Sequence, residues 1–359
     1  MESPRLLARV FRSTDDLSPI RHAIAALPFD AGLLAASPFM ALALTEAGEL
    51  LFPGICWFLF EDEDGPAAVV PLQCAVDEDS ALRTLSLRSL TWHEMLYADA
   101  LIRPGIPPAA IGRALLAQPA LGTRRADVLR LRDLPQQSNL HRLLQCLRAE
   151  VQEKEGTSVI PVGASATEWQ RSLSRNLRGQ IRQSENRLRQ HGSVVVHAAA
   201  GAAETAAAFE RFVALEASGY KAATDALANT AGNRELLERT LRGHAHTGTA
   251  HTLELFVNGE LVASQFGVVC GRRLYLIKVA FNEAFSEASP GTFLMAQLLE
   301  RLADEGRIAL VDCCVRQRWH ARWHPEIEYN RVATIASPHT LRGWALRALR
   351  AVRGRLPRS

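Results

Sequence analysis

Asp312, Glu216 and Lys278 are the side chains of this 359-residue sequence best suited to chemistry. Asp312 ends the apolar run Ile308-Ala-Leu-Val. A carboxylate closing a buried strand needs a partner or a task, so it either caps the next turn or takes part in proton transfer. Lys278 lies among Leu276, Ile277 and Val279, and it is one of three lysines (with Lys154 and Lys221) among 41 basic residues. Lysine, unlike arginine, can lose its proton when buried. Three readings stand for Lys278: a sheet-edge charge facing water, a partner of Asp312, or a donor to a developing oxyanion. Glu216 precedes Tyr220-Lys221 at the end of a helical stretch, either as half of a solvated pair with Lys221 or as a general base. The run Ser289-Pro290-Gly291-Thr292 opens an apolar helix. Free N–H groups and the dipole at such a start favour phosphate, although a lone glycine turn is equally an ordinary connection.

The elements that must position these residues read as a meander. Strands over 252–257, 261–269 and 273–281 are joined at Asn258-Gly259 and Cys270-Gly271, both hairpin signals. A polar loop, a helix from Thr292 to about Asp304 and the strand 308–312 return to the same sheet. Upstream, the pattern predicts a basic helix over 167–190 with the apolar seam Leu173, Leu177, Ile181 and Leu188. A strand over 193–198 and helices over 203–219 and 234–242 follow. His244, His246 and His251 are expected in an exposed loop. Residues 1–160 read as a mixed α/β half: helices over 18–27, 37–46, 108–116 and 138–150, and strands over 56–60, 67–74, 85–91 and 128–132. Past Asp312, a strand over 329–335 precedes a C-terminal helix ending near Arg353. After Pro338 the chain carries six arginines and no acid, interleaved with Leu341, Trp344, Leu346, Leu349 and Val352.

The basic helix, Glu216-Ala-Ser-Gly-Tyr-Lys221, Ala263, Phe285-Ser-Glu-Ala-Ser-Pro-Gly291 and Asp312 occur in an order that resembles one family. Residues 165–335 are similar to the GNAT-superfamily acetyltransferase domain of cellulose-biosynthesis-associated and Fem-like bacterial proteins. The resemblance implies an α/β (α+β) fold, a GNAT-like mixed sheet with meander strands. It also implies two GNAT-like units in tandem, the N-terminal one degenerate: 1–160, then the acyltransferase domain 161–337, then a basic amphipathic helix over 338–359. By the same resemblance, the coenzyme A pyrophosphate lies against Ser289, Pro290, Gly291 and Thr292. The backbone near Lys278, Val279 and Ala280 pairs with the pantetheine amides, and Tyr220, Lys221, Gln265 and Trp323 contact the acceptor. Three departures stand out: related enzymes use a richer glycine loop, Trp in place of Tyr220, and a small residue in place of Lys278.

The implied function is transfer of an acyl group, acetyl first among them, from acyl-CoA to an amine acceptor such as an amino sugar or another cell-envelope precursor. The rivals are a Fem-like transfer from aminoacyl-tRNA and a catalytically inactive GNAT fold serving as a binding or membrane-associated protein. Net charge of +3 decides little. The charged start Met1-Glu-Ser-Pro-Arg lacks a signal-peptide core, so a cytoplasmic location is expected, with peripheral membrane contact through the Arg-rich C-terminal helix as an option. Six cysteines show no C-x-x-C spacing. The adjacent Cys313 and Cys314, with His320 and His324, suit a tetrahedral ion poorly, and no metal is expected.

Overall fold

The computed structural model describes residues 6–27, 37–78, 82–91, 99–147, 149, 151–219 and 226–353. In chain order the elements are β1 (Leu7–Arg12), α1 (Ser18–Ala26), α2 (Pro38–Leu51), β2 (Ile55–Asp62), β3 (Gly65–Val76), β4 (Leu85–Arg88), β5 (Leu101–Ile102), α3 (Pro108–Ala117), β6 (Pro119–Leu121), β7 (Arg124–Arg125), β8 (Val128–Leu134), α4 (Asn139–Cys146) and β9 (Val151–Pro161). There follow α5 (Ala166–Ser172), α6 (Arg175–Gln190), β10 (Val194–Ala198), α7 (Gly201–Ala217), α8 (Ala231–His246), β11 (Ala250–Val257), β12 (Glu260–Cys270), β13 (Arg273–Phe281), α9 (Pro290–Glu305), β14 (Leu310–Asp312), β15 (Glu326–Ala336) and α10 (Leu341–Arg353).

These elements fall into two compact units, Met1–Gly156 with Tyr329–Ser359, and Thr157–Glu328. In the first unit β1, β2, β3 and β4 are antiparallel neighbours, β4 meets β8 in parallel, and β8 meets β15 antiparallel. In the second, β10, β11, β12 and β13 are antiparallel, β13 meets β14 in parallel, and β14 meets the end of β9 antiparallel. Two helices follow β1 and two follow β10, and one helix precedes the parallel strand in each unit, α3 before β8 and α9 before β14, with the short β5 intervening between β4 and α3. The same sequence of strand directions and crossovers therefore occurs twice, and the two units are a tandem repeat of one mixed α/β fold. The first copy is reduced at the place that matters below. Its fourth strand, β4, is four residues long and in plain register with β3, whereas β13 has nine residues and a register shift.

The sequence division into 1–160, 161–337 and 338–359 differs from these units. Tyr329–Ser359 groups with the N-terminal residues because Arg331–Ala336 pair with Val128–Leu134 of β8, and Ala333 and Ile335 fill that unit's core.

Local chemistry accounts for the second unit's elements. Asn258 and Gly259 both take positive φ, 50° and 79°, as a two-residue hairpin whose twist matches its strands requires. The helix expected over 167–190 is broken: Leu173 is extended, and the Ser174 hydroxyl caps α6 by accepting the Leu177 N–H. Leu177, Leu188, Phe293, Leu294, Leu298 and Leu302 then pack on Leu253 and Leu255 to form this unit's core. Of the three histidines expected in an exposed loop, His246 is exposed, though at the end of α8, and the other two are corrected. His244 lies inside α8 and is buried, and His251 is half-buried in β11.

Candidate functional site

Strand β13 organises the site. Against β12 its register runs Lys278 opposite Phe266 and then Leu276 opposite Gly267, so Ile277 is an extra residue, a β-bulge. Gly267 permits it: a Cβ there would lie 2.1 Å from the Tyr275 carbonyl oxygen. On its other edge β13 pairs with β14 only through Arg273, Leu274 and Tyr275. Among the described residues no strand pairs with Leu276–Phe281 on that side. The two parallel strands thus part at the bulge and leave backbone donors and acceptors open.

The parted edge leads to the start of α9. Ser289 adopts a left-handed conformation, φ 50°, and Pro290 begins the helix. Gly291 is exposed, and no heavy atom lies within 4 Å of where its Cβ would be. The Ser184 hydroxyl of α6 donates to the carbonyls of Ala288 and Ser289, and Arg187 Nη1 donates to the Glu287 carbonyl at 2.5 Å. Arg322 Nη1 donates to Thr292 Oγ1 at 2.8 Å. Two guanidinium groups and a helix N-terminus therefore border an open backbone position, an arrangement that favours an anion.

The ionisable residues form two separate groups. Lys278 points to the α7 side with Phe266, and its Nζ donates to Glu216 Oε1 at 2.8 Å, while Glu216 Oε2 accepts the Leu227 N–H at 2.8 Å. Both side chains are buried, which rules out Lys278 as a water-facing edge charge and Glu216 as part of a solvated pair. Lys278 does not pair with Asp312. Instead Asp312 Oδ2 accepts from Arg273 Nη1 at 3.0 Å, and its Oδ1 accepts the Cys314 N–H at 2.8 Å. Arg273 also binds Glu328 Oε1 at 2.6 Å. Burial pushes the Asp312 carboxyl above the usual carboxylate range, against the pull of Arg273 and the Cys314 amide. Its place, opposite Tyr275 where β13 and β14 part, makes it the clasp at the vertex of the gap.

Gln265, opposite Val279, is buried, as is Trp323; Gln265 Nε2 and Trp323 Nε1 have no hydrogen-bond partner among the described residues. Val279 and Ala280 are half-buried on the parted edge. Tyr220 and Lys221 lie outside the described residues. Ser184, Arg322, Arg273 and Gly267 were not singled out from the sequence, and Arg187 was read only as one arginine of the basic helix. Gly267 within an apolar strand was a usable signal for a bulge; the others act through partners remote in the chain. Burial pushes the Cys313 and Cys314 thiols up, which removes them as thiolate nucleophiles at neutral pH. Among the described residues no group of three His, Cys, Asp or Glu side chains is placed to hold a metal ion.

The profile of the family described as "Acetyltransferase (GNAT) domain" matches residues 175–329. None of the curated proteins compared with the chain matches it in sequence. Among solved structures the chain is similar to FemX, with 10% identity, TM-score 0.55 and coverage of 95% of this chain and 99% of that one. It is also similar to the C-terminal domain (DUF2156) of a protein assigned as a lysylphosphatidylglycerol synthetase from Agrobacterium fabrum, with 12% identity, TM-score 0.52 and coverage of 88% and 92%. A third is L-PGS from Bacillus licheniformis, with 11% identity, TM-score 0.50 and coverage of 91% and 99%. At these identities the structural likeness speaks for the fold. The matched profile makes residues 175–329 similar to the GNAT acetyltransferase domain, and the likeness to FemX shows a shared fold across both units.

Proposed function

We propose that the second unit is an acyl-CoA-dependent N-acyltransferase that moves an acyl group, acetyl in the simplest case, to an amine acceptor of the amino-sugar or cell-envelope-precursor type. The observation that carries this reading is the unpaired edge Leu276–Phe281 ending at the open start of α9. That edge supplies backbone groups for the amides of a pantetheine arm. Ser289, Gly291 and Thr292, with Arg187 and Arg322 nearby, suit its diphosphate. When bound, coenzyme A would supply the activated thioester carbonyl.

The chain's own residues supply position and charge. In this reading the Lys278 ammonium, held by Glu216, is the donor for negative charge that develops on the carbonyl oxygen. Glu216, which holds that ammonium, is in this reading the group that takes the acceptor's proton, since an amine must be neutral to attack. Asp312, expected as a catalytic candidate, serves here as a positioning residue through Arg273. Gln265 Nε2 and Trp323 Nε1 offer buried donors for acceptor hydroxyls or carbonyls.

A second reading, transfer from aminoacyl-tRNA, draws on the likeness to FemX over both units and on the exposed arginines Arg175, Arg178 and Arg182 of α6. Thermal unfolding with acetyl-CoA, longer acyl-CoAs and tRNA separates the two. Stabilisation by an acyl-CoA at concentrations above its Kd supports the first. Stabilisation by tRNA alone transfers support to the second.

A further inference from the structure

We propose that α10 is a docking helix that lays its apolar face on the headgroup layer of an anionic phospholipid bilayer. The helix is fixed to its unit by its Gly343 side and by polar bonds from Arg342, Trp344 and Arg347. Gly343 is buried, and a Cβ there would lie 2.2 Å from the Ser337 carbonyl oxygen, so the helix backbone sits directly on the preceding stretch. Trp344 Nε1 donates to the Pro338 carbonyl at 3.0 Å, Arg347 Nε to the Ala336 carbonyl at 3.1 Å, and Arg342 Nη1 to the Arg83 carbonyl at 3.2 Å.

At about 100° per residue, Leu341, Trp344, Ala345, Ala348 and Leu349 share an arc of roughly 140° centred opposite Gly343. That arc is turned outward: Leu341 is 89% exposed, Trp344 58% and Leu349 53%. A helix folded only for its own unit would turn this stripe inward. Arg342 and Arg347 flank the arc on its two sides, and no ion pair holds either among the described residues; the Arg347 guanidinium lies 5.8 Å from the Trp344 ring centre. The segment after Pro338 has six arginines and no acid.

Leucines outermost, tryptophan beside them and arginines at the margins match the depth profile of an interfacial helix on anionic lipid. Nucleic acid would be met by guanidinium groups, with the leucines facing away. A second copy on this face would bring like charges together. No helix of the described residues is long and apolar enough to cross a membrane, so the contact is at the surface.

Co-sedimentation of the full chain with phosphatidylcholine vesicles and with vesicles containing phosphatidylglycerol tests this. The expected result is binding to the phosphatidylglycerol vesicles that weakens with salt. Leu341→Ser with Leu349→Ser should reduce it at least tenfold with an unchanged melting temperature, because both residues are exposed. Arg342→Gln with Arg347→Gln should weaken the preference for anionic lipid and lower its salt dependence, four arginines remaining in the segment. Absence of vesicle binding overturns the proposal, as does binding indifferent to the leucine variants. A dimer that the leucine variants dissociate, or tRNA capture through this helix without lipid binding, overturns it as well.

Discussion

Replacing Lys278 by methionine tests the buried pair at the site. The ammonium and the Glu216 carboxylate are 2.8 Å apart, and their side chains are 7% and 0% exposed. Removing one partner of such a pair strands the other charge, at a cost of about 3–5 kcal/mol. For a unit of this size that corresponds to a fall in Tm of about 10 °C. Adding Glu216→Gln neutralises the stranded carboxylate and keeps an acceptor for the Leu227 N–H. The double variant should therefore recover to within about 1–2 kcal/mol of the parent. Urea and thermal unfolding of the parent, both single variants and the double variant form a complete cycle. The double variant, folded, should have lost acyl transfer while still binding acyl-CoA. A Lys278→Met cost below about 1 kcal/mol would refute the burial argument. A double variant with full turnover would reduce the pair to a structural role.

Gly267→Ala should weaken the fold by about 1–3 kcal/mol, because its Cβ meets the Tyr275 carbonyl at 2.1 Å; melting curves and calorimetric acyl-CoA titration check that stability and donor affinity fall together. Gly291→Glu, at a position with open space around it, should leave stability within about 0.5 kcal/mol yet cost roughly tenfold in acyl-CoA affinity, about 1.4 kcal/mol, by placing a carboxylate at the start of α9; unchanged affinity would remove the diphosphate from this position. His244 and His320 are buried and their pKa values are pushed down to about 4. The unfolded chain takes up these protons first as pH falls below about 6.5, so each contributes stability at neutral pH that is lost towards pH 4, by up to about 1.4 kcal/mol per pH unit. Urea unfolding from pH 7 to pH 4.5 should show that loss; a flat profile would mean that both rings are solvated.

The meander was legible because its signals are local. Asn258-Gly259 dictates a hairpin, and the apolar stripe of α9 was plain, although its start was read at Thr292, two residues after the Pro290 at which the helix begins. Candidates could be placed on elements, but not paired. Glu216 and Lys278 are 62 residues apart, and Arg273 and Asp312 are 39 apart; nothing in a single sequence states such partners, so Asp312 and Lys278 were left as alternatives. The break at Leu173-Ser174 was hidden because Leu173 fits the same apolar period as Leu177. The grouping of β15 with the first unit escaped for a related reason, since strand pairing across some 200 positions leaves no mark in either strand's composition. Burial also reversed the reading of His244, whose polar neighbours suggested a loop while α8 turns it inward.

Hydrogen exchange of the full chain, with and without acyl-CoA, tests the central claim most directly. Acyl-CoA should slow exchange of amides in Leu276–Phe281 and at Gly291–Thr292, the open edge and the helix start, while the β11–β12 hairpin stays unchanged. Saturating acyl-CoA that leaves 276–281 and 291–292 unprotected would contradict the account.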